Sequence, residues 1–291
     1  MIWLIEMNTD WNIRGKTVFI TGATDGIGKE AALRLAKLGA RIVFTSRSKE
    51  KAEKLKTSIA QAGGAKAEYF LCDLSSLASV KECALEFLKT HDSMHVLINN
   101  AGVMPARRQE SKDGTELNMA VNYFAPVLLT ELLLPLLRRS APARIINVSS
   151  TLHKEGEIDP GNLRGAGPYD KYRAYASSKL GIVLYTLRLR GLLAGSGVAA
   201  VAVHPGWIKT KLALGVLGGS GLAARILLPL MRMHPPAYGA EPLVRLATQK
   251  EPPRGLYFER DAEAKPSPKT EDTALAARLW DSTVGIISPY L

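Results

Sequence analysis

The stretch from Lys16 to Gly28, KTVFITGATDGIG, joins a short apolar run directly to a loop that contains three glycines. The Val-Phe-Ile run is typical of a strand buried on both faces. Beyond the loop, apolar residues recur at steps of three and four, which predicts an amphipathic helix. A strand that turns straight into a helix brings backbone N–H groups and the positive end of the helix dipole to one place.

The glycines of this loop, Gly22, Gly26 and Gly28, are spaced G-x3-G-x-G rather than G-x-G-x-x-G as in the general dinucleotide fingerprint. Glycine lets the backbone approach a ligand closely, and a helix N-terminus attracts phosphate groups. We therefore interpret the loop as a pyrophosphate site. A tight strand-to-helix turn without a ligand is the alternative that these residues alone leave open.

Strand-like and helix-like segments alternate along most of the chain. We predict strands at 18–20, 41–45, 67–71, 96–98, 144–148 and 198–203, and helices at 27–38, 49–61, 76–89, 115–138 and 172–194. Such alternation predicts an α/β fold, a doubly wound parallel sheet with helices on both faces. We see no linker, and therefore expect one domain over 1–291, with an N-terminal arm (1–13) and a C-terminal tail (259–291).

Composition excludes several classes of protein. The chain is 46% hydrophobic and can bury a full core, and its two cysteines exclude a disulfide framework and fit a reducing compartment. The net charge of +11 favours anionic partners such as phosphorylated cofactors. Because the basic residues are scattered and no nucleic-acid motif or metal-ligand spacing appears, we expect neither nucleic acid nor metal as a partner.

The first thirteen residues, MIWLIEMNTDWNI, lack the basic start of a signal peptide, and the chain has no apolar run long enough to span a bilayer. We interpret them as an ordered arm or as a weak contact with a membrane surface. The expected location is cytoplasmic, with peripheral membrane association left open.

Ligands of doubly wound sheets bind beyond the carboxyl ends of the strands. The residues expected at those ends are Gly22, Arg47, Asp73, Asn99, Ser150 and Pro205. We expect them to converge on one crevice. Asp73 also fits the N-cap of the helix predicted from Ser76, and the two roles are compatible.

Tyr175 and Lys179 lie four residues apart on a predicted helix, so they share a face. A free tyrosine titrates near pH ~10, and a nearby ammonium lowers that pKa toward a range useful for acid–base chemistry. Taken alone, the pair also fits a solvated helix face. Ser150, which ends the preceding strand, favours a catalytic pair because its hydroxyl can bond a substrate oxygen beside the phenol.

These segments together resemble the short-chain dehydrogenase/reductase family, from about residue 14 to 258. The matching motifs are TGATDGIG (21–28), CDL (72–74), NNAG (99–102), VNYF (121–124), NVSS (147–150), YASSK (175–179) and HPG (204–206). The resemblance implies a single-domain Rossmann-type sheet and hydride transfer between a nicotinamide and an alcohol or carbonyl. It also implies a catalytic set of Asn122, Ser150, Tyr175 and Lys179, with Ser150 rather than Ser149 as the serine.

The same resemblance implies a nicotinamide cofactor along the strand ends. Its expected contacts are Gly22, Thr24, Asp25, Gly26, Ile27, Gly28, Ser46, Arg47, Asp73, Leu74, Asn99, Ala101, Gly102, Tyr175, Lys179, Pro205, Gly206, Ile208 and Thr210. Asp73 would lie on the adenine side, and Asn99 and Ala101 near the adenosine ribose. The second strand ends in Arg47 without an acid, and an arginine suits a 2′-phosphate, so we expect NADP(H) in preference to NAD(H).

The 25-residue interval from Ser150 to Tyr175 and its insert DPGNLRGAGPYDKYRAY (159–175) resemble the retinol-dehydrogenase-like branch. That resemblance implies a small apolar alcohol or carbonyl substrate, such as a retinoid, a steroid, an aldehyde or a ketone. A catalytically silent nucleotide-sensing or membrane-surface scaffold on the same fold is the alternative. The four filled catalytic positions favour an enzyme.

The segment 212–233 combines many apolar residues with four glycines between 215 and 221. The glycines disfavour a rigid helix, whereas the apolar residues require burial. We interpret 207–235 as a lid over an apolar substrate, with Thr210 near the cofactor's carboxamide. A homo-oligomer contact and a membrane-facing patch are the alternatives.

Overall fold

The computed structural model describes residues 11–64, 66–209 and 233–291. The strands are β1 Thr17–Ile20, β2 Arg41–Ser46, β3 Ala67–Leu71, β4 Val96–Asn99, β5 Ala143–Val148, β6 Val198–His204, β7 Tyr257–Glu259 and β8 Ala262–Glu263. They form one sheet in the order β3-β2-β1-β4-β5-β6-β7-β8. All neighbouring pairs run parallel except β7 and β8.

Helices cover both faces of this sheet. They are α1 Gly26–Lys37, α2 Lys49–Gln61, α3 Leu77–Thr90, α4 Leu117–Arg139, α5 Lys171–Leu192, α6 Pro236–Thr248 and α7 Thr273–Ile287. The strand order reverses between β1 and β4, so a crevice opens at the carboxyl ends of these two strands. The predicted doubly wound parallel sheet is confirmed.

Each face of the sheet has its own hydrophobic core, because successive strand residues point to opposite sides. Phe19 of β1 points into the core beneath α3, α4, α5 and α7. Its neighbours Val18 and Ile20 point into the core beneath α1, α2 and α6. This burial on both faces explains why β1 is apolar at every one of these positions.

Helix α4 departs from regular geometry near its start. It was predicted over 115–138 and contains a π-helical turn at Ala120–Phe124, with Asn122 at its centre. Among the described helices α4 is long and apolar enough to cross a membrane, but most of it is buried inside the protein, and we interpret it as a core helix. Pro135 lies within α4, which continues to Arg139.

The chain beyond β6 adds more structure than the sequence predicts. The expected tail, 259–291, contains β8 and α7, and α7 buries Leu275, Leu279 and Ile287 against the first core. Its Thr283 hydroxyl lies 2.7 Å from the Tyr123 hydroxyl of α4. Strands of three and two residues are too short for a periodic signal, which is why β7 and β8 were not predicted.

Two further predicted segments are described only in part. Of the arm 1–13, Trp11 donates its indole N–H to the Ala247 carbonyl at the end of α6. The predicted lid lies mostly outside the described residues. Its two ends are paired, because His234 donates to the Trp207 carbonyl and Lys209 donates to the His234 carbonyl, each at 2.8 Å.

The turn between β1 and α1 is tightly packed against the end of β4. Gly22 and Gly26 have positive φ, at 67° and 55°, which favours glycine. A Cβ on Gly28 would lie 2.4 Å from the Gly22 carbonyl oxygen. The Asn100 amide donates to the carbonyls of Thr21 and Gly22, at 2.9 and 3.1 Å. These contacts fix the relative positions of β1, α1 and β4.

The packing predicts opposite effects for two glycine substitutions. Gly28→Ala should lower the free energy of unfolding by about 1–3 kcal/mol, because the methyl group overlaps backbone. Gly285→Ala in α7 should raise it by up to about 1 kcal/mol, since its Cβ would meet nothing within 4 Å and alanine favours helix. Urea denaturation measures both. Wild-type stability in Gly28→Ala would contradict the packing of this turn.

Candidate active site

A cavity of about 660 Å³ opens at the carboxyl ends of the parallel strands. The predicted residues that line it are Gly22, Thr24, Asp25, Gly26, Ile27, Gly28, Ser46, Arg47, Asp73, Leu74, Ala101, Gly102, Ser150, Tyr175, Lys179, Pro205, Gly206 and Ile208. Asn99 and Asn122 are not among the lining residues, and Thr210 lies outside the described residues.

Asn99 does not reach the cavity, although we expected it beside the ribose. Its amide N–H groups donate to Thr130 and Asn147, at 3.0 and 2.8 Å, within the core. The next residue, Asn100, lines the cavity instead. Because side chains alternate along a strand, a shift of one residue exchanges the core face for the open edge.

The end of β2 brings two cations to the cavity. Arg47 and Lys51 both line it, and neither forms a salt bridge within the described part of the chain. Lys51 was not predicted, although it lies about one turn beyond Arg47. The Ser46 hydroxyl donates to the Ser48 carbonyl at 2.9 Å, so it stabilises the turn that presents these cations.

Asp73 is held by its neighbours rather than serving as a helix cap. Its carboxylate accepts from the backbone and the hydroxyl of Ser75, at 3.1 and 2.7 Å, and lies 3.3 Å from the Lys112 ammonium. Burial raises the pKa of Asp73, but these hydrogen bonds outweigh burial and lower it overall. The N-cap of α3 is Ser76, which accepts from the Ser79 N–H, so the capping role considered for Asp73 is wrong.

The part of the cavity formed by the turn between β1 and α1 and by the end of β2 fits a dinucleotide. Gly22, Gly26 and Gly28 line this part of the cavity without side chains, so a ligand can approach their backbone closely. The N-terminus of α1 contributes partial positive charge there, and the cations at the end of β2 add full charges. Such a surface attracts phosphate groups.

The other half of the cavity holds Ser150, Tyr175 and Lys179. All three are nearly buried, with 9%, 8% and 3% of their surfaces exposed. The Lys179 ammonium lies 5.5 Å from the centre of the Tyr175 ring, and the Ser150 side chain lies close enough to Tyr175 to lower its pKa. The end of β5 and one face of α5 therefore bring together a hydroxyl, a phenol and an amine, as predicted.

We expected the Lys179 ammonium to lower the pKa of Tyr175, but this pKa is raised. Burial raises the pKa of Tyr175 to about 12, and the hydrogen bond with Ser150 lowers it only in part. Burial also lowers the pKa of Lys179 to about 8. The Lys179 ammonium donates to the Val148 carbonyl at 2.8 Å, which draws it toward the strand. The phenol is therefore protonated at neutral pH.

Asn122 joins three parts of the site through its side chain. The side-chain oxygen of Asn122 accepts from the Val103 N–H at 2.8 Å. Its side-chain nitrogen donates to the Val103 carbonyl at 3.0 Å and to the Ser178 hydroxyl at 2.9 Å. Ser178 in turn donates to the Tyr175 carbonyl at 2.7 Å. Both hydrogens of the Asn122 amide and one acceptor position of its oxygen are therefore used within the protein.

Ser149 has a different task from Ser150. Its hydroxyl donates to the Lys179 carbonyl at 3.1 Å, while the Lys179 ammonium donates to the end of β5. These two bonds tie β5 to α5 on both sides of the lysine. The Ser149 hydroxyl is thus engaged in positioning, which favours Ser150 as the reactive serine.

Several residues that line the cavity were not predicted. The apolar ones are Val103, Met104, Val121, Val148 and Leu152, and the others are Thr45, Lys51, Cys72, Ser75, Asn100, Ser149, Thr151, Tyr172 and His204. Trp207 and Met233 also line the cavity, and both belong to the segment 207–235 that was predicted as a lid. Asn100 and His204 lie within the motifs NNAG (99–102) and HPG (204–206), which could have pointed to them. The apolar residues carry no such signal, because hydrophobic residues after strands also fit the core.

The comparisons with known proteins agree with this geometry. A family model described as short chain dehydrogenase matches residues 16–216. The human protein named retinol dehydrogenase 13 is 38% identical over 285 residues, which cover 94% of this chain and 85% of that protein.

Two solved structures share the fold. An uncharacterized protein from Mycobacterium paratuberculosis is 29% identical, with a TM-score of 0.77 and 96% of both chains covered. A metagenomic short-chain oxidoreductase in complex with NADP is 27% identical, with a TM-score of 0.62 and coverage of 88% of this chain and 99% of that one. The chain therefore belongs to the short-chain dehydrogenase family and is a dehydrogenase or reductase that acts on CH–OH and C=O groups.

Proposed function

We propose that this protein interconverts apolar aldehydes or ketones and the corresponding alcohols with NADP(H), and that Tyr175 is its general acid and base. The observation that carries the proposal is that Ser150, Tyr175 and Lys179 are buried together in the wall of the cavity that also contains the glycine-rich turn. A bound nicotinamide would accept or supply the hydride.

Tyr175, Ser150, Lys179 and Asn122 have different roles in the reaction. In reduction, the Tyr175 phenol donates its proton to the carbonyl oxygen, while the Ser150 hydroxyl donates a hydrogen bond to the same oxygen. The Lys179 ammonium lies close enough to stabilise the phenolate that results. Asn122 positions Tyr175 indirectly. Its side chain donates to Ser178, and Ser178 donates to the Tyr175 carbonyl within the same turn of α5.

The walls of the reactive end support an apolar substrate. Val103, Met104, Leu152, Trp207 and Met233 line this cavity. Such walls favour apolar molecules, since burying apolar surface lowers the free energy of binding by about 25 cal/mol per Å². Relatives named retinol dehydrogenases support the same class of substrate.

The preference for NADP(H) rests on the end of β2. Arg47 and Lys51 are exposed cations on the cavity wall, and β2 ends without an acid that could bind a ribose hydroxyl. A 2′-phosphate would gain charge-assisted hydrogen bonds from them. One structural relative was solved with NADP.

The substitution Tyr175→Phe tests whether Tyr175 is the general acid in carbonyl reduction. The variant keeps the ring but loses the transferable proton, so kcat for reduction of an apolar aldehyde should fall by about 10²-fold or more. Binding of NADPH, followed by fluorescence, should change little. Tyr172→Phe is the matched control, because Tyr172 lines the same cavity without a lysine four residues later.

The control should lose no more than a few-fold in kcat. Near-normal turnover in Tyr175→Phe would show that another group donates the proton. If the wild-type protein bound NADPH but reduced no carbonyl compound, the enzymatic proposal itself would fail.

Arg47→Ala tests the cofactor preference. Because a hydrogen bond to a charged group contributes roughly 1.5–3 kcal/mol, kcat/KM for NADPH should fall by about tenfold or more, with little change for NADH. Lys49→Ala is the matched control, since it removes a nearby exposed cation that does not line the cavity. Wild-type kcat/KM with NADH equal to or above that with NADPH would overturn the preference.

A further inference from the structure

His153 is fully buried next to the reactive serine and bonds two backbone groups. Its Nδ1 lies 2.7 Å from the Ser150 carbonyl oxygen. The Ser267 backbone N–H donates to its Nε2 at 2.9 Å, across 114 residues of chain. The ring also packs against Tyr257, with 4.5 Å between ring centres.

These two contacts define the protonation of the ring. A backbone N–H can only donate, so Nε2 must be the unprotonated nitrogen. In the neutral ring the proton is then on Nδ1, which donates to the Ser150 carbonyl. Burial lowers the pKa of His153, in agreement with a neutral ring.

The two anchored segments lie in different parts of the chain. Ser150 is the second residue after β5, and its side chain lines the cavity and lowers the pKa of Tyr175. Ser267 is 1% exposed and lies in the C-terminal part of the chain, where its carbonyl accepts from the Thr270 hydroxyl at 2.7 Å. Lys269 adds a further bond between the two segments by donating to the Gly156 carbonyl at 2.6 Å.

We propose that His153 is a positioning residue that holds Ser150 in place beside Tyr175 by bracing it against the C-terminal segment 267–270. The inference rests on the proposed function, because it assigns a task in that reaction. Rotation of the peptide after Ser150 would turn its hydroxyl away from the substrate oxygen. The Ser150 carbonyl accepts the His153 backbone N–H at 3.0 Å, and the neutral His153 ring opposes the remaining rotation by donating a second, shorter bond of 2.7 Å to the same oxygen.

Two substitutions at His153 separate its bonds. In His153→Asn, the amide nitrogen occupies the place of Nδ1 and can still donate to Ser150, whereas the acceptor for Ser267 is lost. In His153→Gln, the amide oxygen reaches the place of Nε2 and can still accept from Ser267, whereas the side-chain donor to Ser150 is lost and only the backbone N–H of residue 153 remains. Each variant loses one buried hydrogen bond, so both should show similar decreases in melting temperature.

Only the loss of the Ser150 bond should affect the chemistry strongly. We expect kcat for carbonyl reduction to fall about tenfold to a hundredfold in His153→Gln and no more than about threefold in His153→Asn, since small misplacement of a reacting group is costly. NADPH affinity should be equal in the two variants. Equal losses of kcat, or none in either, would show that His153 is only structural.

A second pair of variants leaves His153 unchanged and replaces Ser267. Ser267 has φ −56° and ψ 138°, which proline adopts readily. Ser267→Pro removes the N–H that His153 accepts, and Ser267→Ala keeps it. Both lose the hydroxyl that caps the following turn. The Pro variant should have lower kcat than the Ala variant, and equal kcat would overturn the brace.

The protonation of His153 can be read directly by ¹⁵N NMR of the wild-type ring. We expect a protonated Nδ1 and an unprotonated Nε2, and a protonated Nε2 would overturn the inference. Wild-type protein without any carbonyl turnover would overturn the proposed function and this inference with it. Turnover in the wild type with equal kcat in Gln and Asn variants would overturn this inference alone.

Discussion

The fold depends on the close approach of α1 to the turn after β1. A Cβ on Gly28 would meet the Gly22 carbonyl oxygen at 2.4 Å, and the Asn100 amide at the end of β4 donates to that same oxygen. Three elements thus meet at one carbonyl, which fixes how they lie against each other. Because Gly26 and Gly28 line the cavity without side chains, the start of α1 and its dipole are accessible to phosphate.

Buried hydrogen bonds also fix the positions of Ser150, Tyr175 and Lys179. Asn122, in the π turn of α4, holds the turn of α5 that contains Tyr175, and Lys179 ties α5 to the end of β5. His153 links Ser150 to the C-terminal segment. Because unpaired buried polar groups are costly, each of these bonds favours one arrangement of the cavity walls. Polar contacts therefore help to fix the chain around the cavity.

The sequence predicted the alternating strands and helices up to β6, but not the helices α6 and α7. Strand–helix alternation and strand-end residues predicted the sheet, the crevice and most of the cavity lining. It missed β7 and β8, whose few residues carry no period, and placed Asn99 rather than Asn100 at the cavity, because the register of a strand end is set by tertiary packing. The raised pKa of Tyr175 also escaped prediction, since it results from burial that no neighbouring residue in the sequence reveals.

The most direct test of the account follows the hydride itself. The protein is supplied with NADPH carrying deuterium at both C4 positions and with a medium-chain aldehyde such as decanal, and the alcohol is examined by mass spectrometry. The account predicts one deuterium on the carbinol carbon of the alcohol, with the hydroxyl hydrogen derived from solvent. An absence of alcohol, or an alcohol without deuterium, would contradict it.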